Sequence, residues 1–210
     1  MQGGMSTSIM MLLGFGAFHG LNPGTGWLFA VALGMQERRR GAVMSALLPL
    51  GLGHALAVGF AVLVALIAGV VIPIHWLHWI VAGTLITLGI SRLFSHHHPR
   101  WASMRVNASA LTFWSFLMAS AHGAGLMVVP VFLTMPVGTH CHSMTGPAMT
   151  STNALLATVV HAVGYLLVTA IIAVLVFEKV GVGVLRNTWF NLDFVWATTL
   201  LGTGVVCVFL

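Results

Sequence analysis

Six long apolar stretches alternate with short polar breaks along the chain, at roughly 8–34, 43–70, 73–94, 109–136, 154–177 and 189–210. Each can carry a helix across a bilayer core, which takes about 20 apolar residues. The pattern predicts an all-α integral membrane protein with six transmembrane helices. The first break holds Glu37, Arg38, Arg39 and Arg40, the third runs from Arg92 to Arg105, and the fifth holds Glu178, Lys179 and Arg186. These three breaks contain all eight Lys and Arg residues, and the breaks after the second and fourth stretches contain none. Cytoplasmic loops are enriched in Lys and Arg. Loops one, three and five are therefore expected in the cytoplasm of a multi-pass inner (plasma) membrane protein, with loop four and both termini outside. The N-terminus lacks a basic n-region, so its apolar run reads as a retained first helix.

Composition agrees with lipid as the solvent. The 210 residues are 59% hydrophobic and 5% charged, and mean hydropathy is +1.02. A soluble domain carries about 25% charged residues. The isoelectric point near 10.7 does not indicate a nucleic-acid partner, because the net charge of +5 sets only eight basic residues against three acids. Two cysteines, Cys141 and Cys207, are too few for a disulfide framework.

Two patterns recur along the chain. "AFHGLNPGTGWLF" is echoed by "SAHGAGLMVVPVF", which pairs His19 with His122; "LLPLGLGHALAVGF" is echoed by "LLATVVHAVGYLL", which pairs His54 with His161. Stretches three and six align more weakly as "LHWIVAGTLITLGI" and "LDFVWATTLLGTGV", which sets His78 against Asp193. The chain thus divides into residues 1–106 and 107–210, each with three spans. Two tandem units of three spans cross the membrane in opposite senses. This is an inverted-topology repeat, whose site is expected near the midplane between the halves.

"HGLNPGTG" (residues 19–26) interrupts the first stretch with an asparagine, a proline and glycines. Irregular backbone at membrane depth is tolerated only where protein or a water-filled cavity surrounds it. The spacing predicts a broken helix whose carbonyl and N–H groups are available to an ion. His19, His54, His122 and His161 each fall near the middle of a span. Buried ionisable groups usually face the bundle interior, and neutral imidazole is the commonest metal ligand. These four, with Asp193 as the one acid inside a predicted span, form the candidate metal site. A hydrogen bond from each imidazole to a neighbouring carbonyl is the bland alternative.

Two further groups carry metal-binding chemistry. His96, His97 and His98 form a short tract in the third break, and "THCHSM" brings His140, Cys141, His142 and Met144 into the fourth. Imidazole, thiolate and thioether together suit soft or borderline metals, so the second group is a candidate outer capture site and the first a candidate inner one. His75 and His78 accompany Trp76 and Trp79 at the start of the third span, where tryptophans anchor helices at headgroup level. The 12 methionines read as packing.

These residues resemble the nickel/cobalt transporter and efflux family, in the superfamily of lysine exporters and membrane thiol-electron carriers. The resemblance rests on "HGLNPG" (His19 to Gly24), on "GHALAV" around His54 and on the His-containing "SHHHPRW". It implies two inverted three-helix halves and export of nickel or cobalt; imidazole chemistry adds zinc and copper as candidate divalent transition metals. Thr25 stands where that family has a second histidine after Pro-Gly.

The leading expectation is thus a metal transporter rather than an enzyme. The alternatives are a membrane metalloprotein or haem or redox-centre subunit, with paired histidines as ligands, and an accessory subunit of a larger membrane complex. The expected partners are the lipid bilayer and the ion, with a homo-oligomer or membrane complex left open.

Overall fold

The structure is a computed structural model that describes residues 2–94, 107–135, 150–180 and 192–209. Among the described residues every regular element is helical: α1 (Gln2–Leu21), α2 (Trp27–Glu37), α3 (Arg40–Val71), α4 (Ile74–Phe94), α5 (Ala108–Ala121), α6 (Ala124–Thr134), α7 (Ser151–Leu175) and α8 (Leu192–Val208). A 3-10 turn, Pro23–Thr25, lies between α1 and α2, and a π turn, Val176–Val180, follows α7. The candidate groups His96–His98 and His140, Cys141, His142 and Met144 lie outside the described residues.

Four segments are long and apolar enough to cross a membrane: Gly4–Leu21, Arg40–Val71, Ile74–Ser91 and Ser151–Lys179. Helices α5 and α6 make a fifth if taken as one span, bent by 65° at their junction. These helices are apolar on every side, as lipid-facing helices are. Leu48, Phe60, Ile67, Val70 and Leu155 are exposed. The hydroxyls on the same surface turn back onto their own helices: Thr84 donates to the Ile80 carbonyl, Thr87 to Gly83 and Thr198 to Phe194. Such bonds keep polar groups satisfied away from water.

The first stretch breaks at Asn22–Gly26, as the sequence predicts. The helix limits depart from the expected spans in three places. The first stretch starts earlier, at Gln2, and the fourth is two helices, breaking at His122–Gly123. In the sixth, the described apolar helix is only Phe194–Val208, shorter than a full span. The first break follows from Pro23, which cannot donate to the helix ladder. The second follows from Gly123, whose φ of 71° is left-handed and ends an α-helix without a Cβ penalty.

Helices α1 and α7 pack lengthwise, as do α3 and α5, and α4 and α8, while α3 and α7 meet at the centre. Small residues set these approaches, as is usual where no hydrophobic force drives helices together in lipid. A Cβ on Gly16 would run into the His161 carbonyl, one on Gly20 into the Tyr165 carbonyl, and one on Gly164 into the Leu13 carbonyl. Gly16 and Gly20 form a small-xxx-small stripe, and their close contact with α7 brings His19 up to His161. At one end of the bundle the Arg40 guanidinium pairs with Glu178 at 3.0 Å, tying the start of α3 to the π turn after α7.

Candidate functional site

His19 ends α1 one turn before the break. Its Nδ1 lies 2.7 Å from the Phe15 carbonyl. A carbonyl only accepts, so Nδ1 carries the proton and Nε2 keeps its lone pair. His54 projects from the middle of α3 and His161 from α7, and all three imidazoles are fully buried. Ring centres stand 5.6 Å apart for His19–His54, 5.1 Å for His19–His161 and 5.3 Å for His54–His161. His19 Nε2 and both ring nitrogens of His54 and of His161 have no hydrogen-bond partner. The His161 ring approaches the Leu12 carbonyl without reaching hydrogen-bond geometry.

This spacing suits a shared ion. With metal–nitrogen bonds near 2.0–2.1 Å, imidazole centres around one tetrahedral zinc fall about 5 Å apart. Ring orientation is a separate matter. His54 and His161 lie 8° from parallel, stacked with ring centres 5.3 Å apart. Among the described residues no group of three or more His, Cys, Asp or Glu side chains is arranged to hold a metal ion.

His122, paired with His19 in the recurring sequence pattern, has its Nδ1 2.8 Å from the Met118 carbonyl, again four residues back. It does not join the other three, because Trp196 of α8 stands between. The indole is 4.6 Å from the His19 ring and 5.4 Å from that of His122, and stacks on Phe18 at 4.7 Å. Its Nε1 donates to the His122 carbonyl at 2.9 Å. Asp193 is the second residue of α8, about one turn before Trp196; its side chain lies outside the described residues. His78 belongs to the α4–α8 contact, where the Cys207 thiol lies 3.6 Å from its carbonyl.

The break in the first span is closed on itself, which corrects the expectation of carbonyls available to an ion. The Thr25 hydroxyl meets the His19 carbonyl at 2.7 Å and the Asn22 carbonyl at 2.8 Å. The Trp27 indole donates to the Leu21 carbonyl at 3.0 Å, and Asn22 Oδ1 accepts from the Gly24 N–H at 2.9 Å. The Tyr165 hydroxyl donates to the Thr25 carbonyl at 2.7 Å. Buried backbone groups must be paired, and here side chains pair them. Thr25 is thus a cap, not a ligand substitute.

Sequence reasoning missed Tyr165 and Trp196. Tyr165 is the one tyrosine in the chain and lies four residues after His161, on the same helix face. It stacks on His54 at 3.8 Å, 6° from parallel, with the Ser115 and Thr169 hydroxyls beside it. That i, i+4 spacing was a usable signal. Trp196 gave less, since only its place inside a span, away from the headgroup level, set it apart. A cavity of about 780 Å³ opens between α1, α6 and α8, with Thr7, Ser8, Phe15, Thr199 and Thr203 in its wall. Ser8, Thr199 and Thr203 donate to carbonyls of their own helices.

No family model matches the chain, and no curated protein or solved structure matches it significantly.

Proposed function

We propose that this protein is a membrane transporter that carries a divalent transition-metal ion, expected outward, through a site built from His19, His54 and His161. One observation carries the reading: five imidazole nitrogens on three helices are buried within one small cluster and have no protein partner. An unsatisfied buried polar group costs about 1–3 kcal/mol. A cargo ion that recruits these nitrogens would offset that cost while bound. Binding requires the His54 ring to turn out of its stack with Tyr165. An ion held in this way is also easy to release, as transport needs. Nickel, cobalt, zinc and copper all accept imidazole. The haem reading is weaker, because Tyr165 covers His54 at 3.8 Å and no slot for a macrocycle separates the rings.

The proposed architecture is two inverted halves. Exchange of the halves turns the α1–α7 contact into the α5–α3 contact and maps α3–α7 and α4–α8 onto themselves. Helices α1 and α5 both end beside a histidine at a break, and in both the imidazole Nδ1 meets the carbonyl four residues back. The Arg40–Glu178 pair supports a common side for the first and fifth breaks, as the charge pattern requires for a cytoplasmic face.

The test is metal content and cobalt titration of protein purified without a His tag, with binding read from cobalt's visible absorption. The wild type should bind one ion, and His19→Ala, His54→Ala and His161→Ala should each weaken binding by about a hundredfold or more, the loss of a primary ligand exceeding that of an outer one. Equal binding by all four proteins would replace the metal reading with a structural role for the cluster.

A further inference from the structure

Two histidines occupy equivalent places, and only one of them reaches the cluster. His19 and His122 each lie at the C-terminal end of a helix, each hold Nδ1 on the carbonyl four residues back, and each contact the Trp196 indole. His19 sits 5.1 Å from His161 and 5.6 Å from His54. The indole of Trp196 fills the space between His19 and His122, edge to face with both. Its counterpart in the first half is Val81, from the alignment of "LHWIV" with "LDFVW". The bulk that separates a terminal histidine from the cluster is thus present on one side only. Besides these edge contacts, the indole stacks on Phe18 and donates its Nε1–H to the His122 carbonyl. That carbonyl precedes Gly123, whose left-handed φ of 71° ends the helix.

Inverted repeats change sides when the two halves exchange conformations around a fixed site. Resting on the transport reading above, we infer that Trp196 is a shutter between two alternative ligand sets. His54 and His161 are common to both. His19 completes the set in the arrangement seen here, and His122 completes it in the opposite-facing one, after the indole leaves the gap. The His122 carbonyl acts as the latch that holds the shutter closed. His122 is thus a transport ligand that the present arrangement keeps off the cluster, and Trp196 is a positioning residue that touches no cargo.

A rescue experiment separates this from a purely structural role. Cobalt binding is titrated by visible absorption in wild type, His19→Ala, the double variant His19→Ala/Trp196→Ala, and the triple variant that adds His122→Ala. His19→Ala should lose binding. The double variant should recover to within about tenfold of wild type, since His122 regains access, and the triple variant should lose it again. A double variant no better than His19→Ala, or a triple variant that keeps the recovered affinity, overturns the shutter. The indole-to-alanine change opens a large space, so Trp196→Phe provides a second measurement. It keeps the ring and removes the Nε1–H latch. Cobalt affinity should stay within about twofold, while turnover in metal-loaded proteoliposomes rises about fivefold, the worth of one net hydrogen bond. Unchanged turnover in Trp196→Phe also overturns the proposal. If the wild type neither binds nor moves cobalt, both the transport reading and the shutter fall. If the wild type does both and only the variants disagree, the shutter alone falls.

Discussion

Tyr165 joins the broken backbone of the first span to the histidine cluster: its ring stacks on His54 and its hydroxyl holds the Thr25 carbonyl. Tyr165→Phe keeps the ring and removes the hydroxyl bonded to that buried carbonyl. The expected cost is about 1–3 kcal/mol of stability, the penalty for orphaning a buried acceptor. A lower unfolding midpoint in detergent, without loss of helix content, would be the signature, and an unchanged midpoint would mean that the carbonyl finds another donor. The histidines themselves were legible from sequence because ionisable residues in an apolar span are conspicuous. Their grouping was only partly legible. Counting from the span ends put all four near the middle of a span, but depth does not say which neighbour intrudes, and the Trp196 indole keeps His122 off the cluster.

At the level of elements, the α1–α7 contact is the joint on which the cluster depends. Gly16 lies against the His161 carbonyl, whereas Gly14 has nothing within 4 Å of an added Cβ. Gly16→Ala should therefore push the helices apart and cost about 1–3 kcal/mol, as overpacking does, and it should weaken any metal binding with it. Gly14→Ala should be neutral or slightly stabilising, because alanine is the better helix former. Comparing unfolding midpoints of the two variants checks the assignment, and equal midpoints would mean that the helices do not approach as closely as described. The break between α1 and α2 was readable from Pro23. The break between α5 and α6 was not, because "SAHGAG" contains no proline and glycine is common in membrane helices. Its left-handed Gly123 is a conformation that sequence allows but does not demand.

For the whole molecule the expected outcome concerns direction across the bilayer. If the arginine-bearing breaks face the cytoplasm, a membrane-impermeant thiol reagent should label the protein at Cys141 in intact cells. The other cysteine, Cys207, is buried and should stay unlabelled, so Cys141→Ser should abolish the signal. Labelling that appears only after lysis would reverse the orientation. The Arg40–Glu178 ion pair bears on the same question from the inside, since it needs the first and fifth breaks on one face.

What the sequence determined by itself was the solvent and the class. With 5% charged residues no water-facing surface can be covered, and apolar stretches of this length in lipid must be helical, because each backbone N–H and C=O has to be paired within its own segment. The positions of the central histidines and the site of the first break followed from residue type and local spacing. Tertiary structure decided what those groups face. Thr25, Trp27 and Tyr165 cap carbonyls that looked free, and Trp196 separates His122 from the other three central histidines. The closing contacts of Tyr165 and Trp196 join residues far apart in the chain, and chain spacing carries no information about which distant side chain will fill a gap.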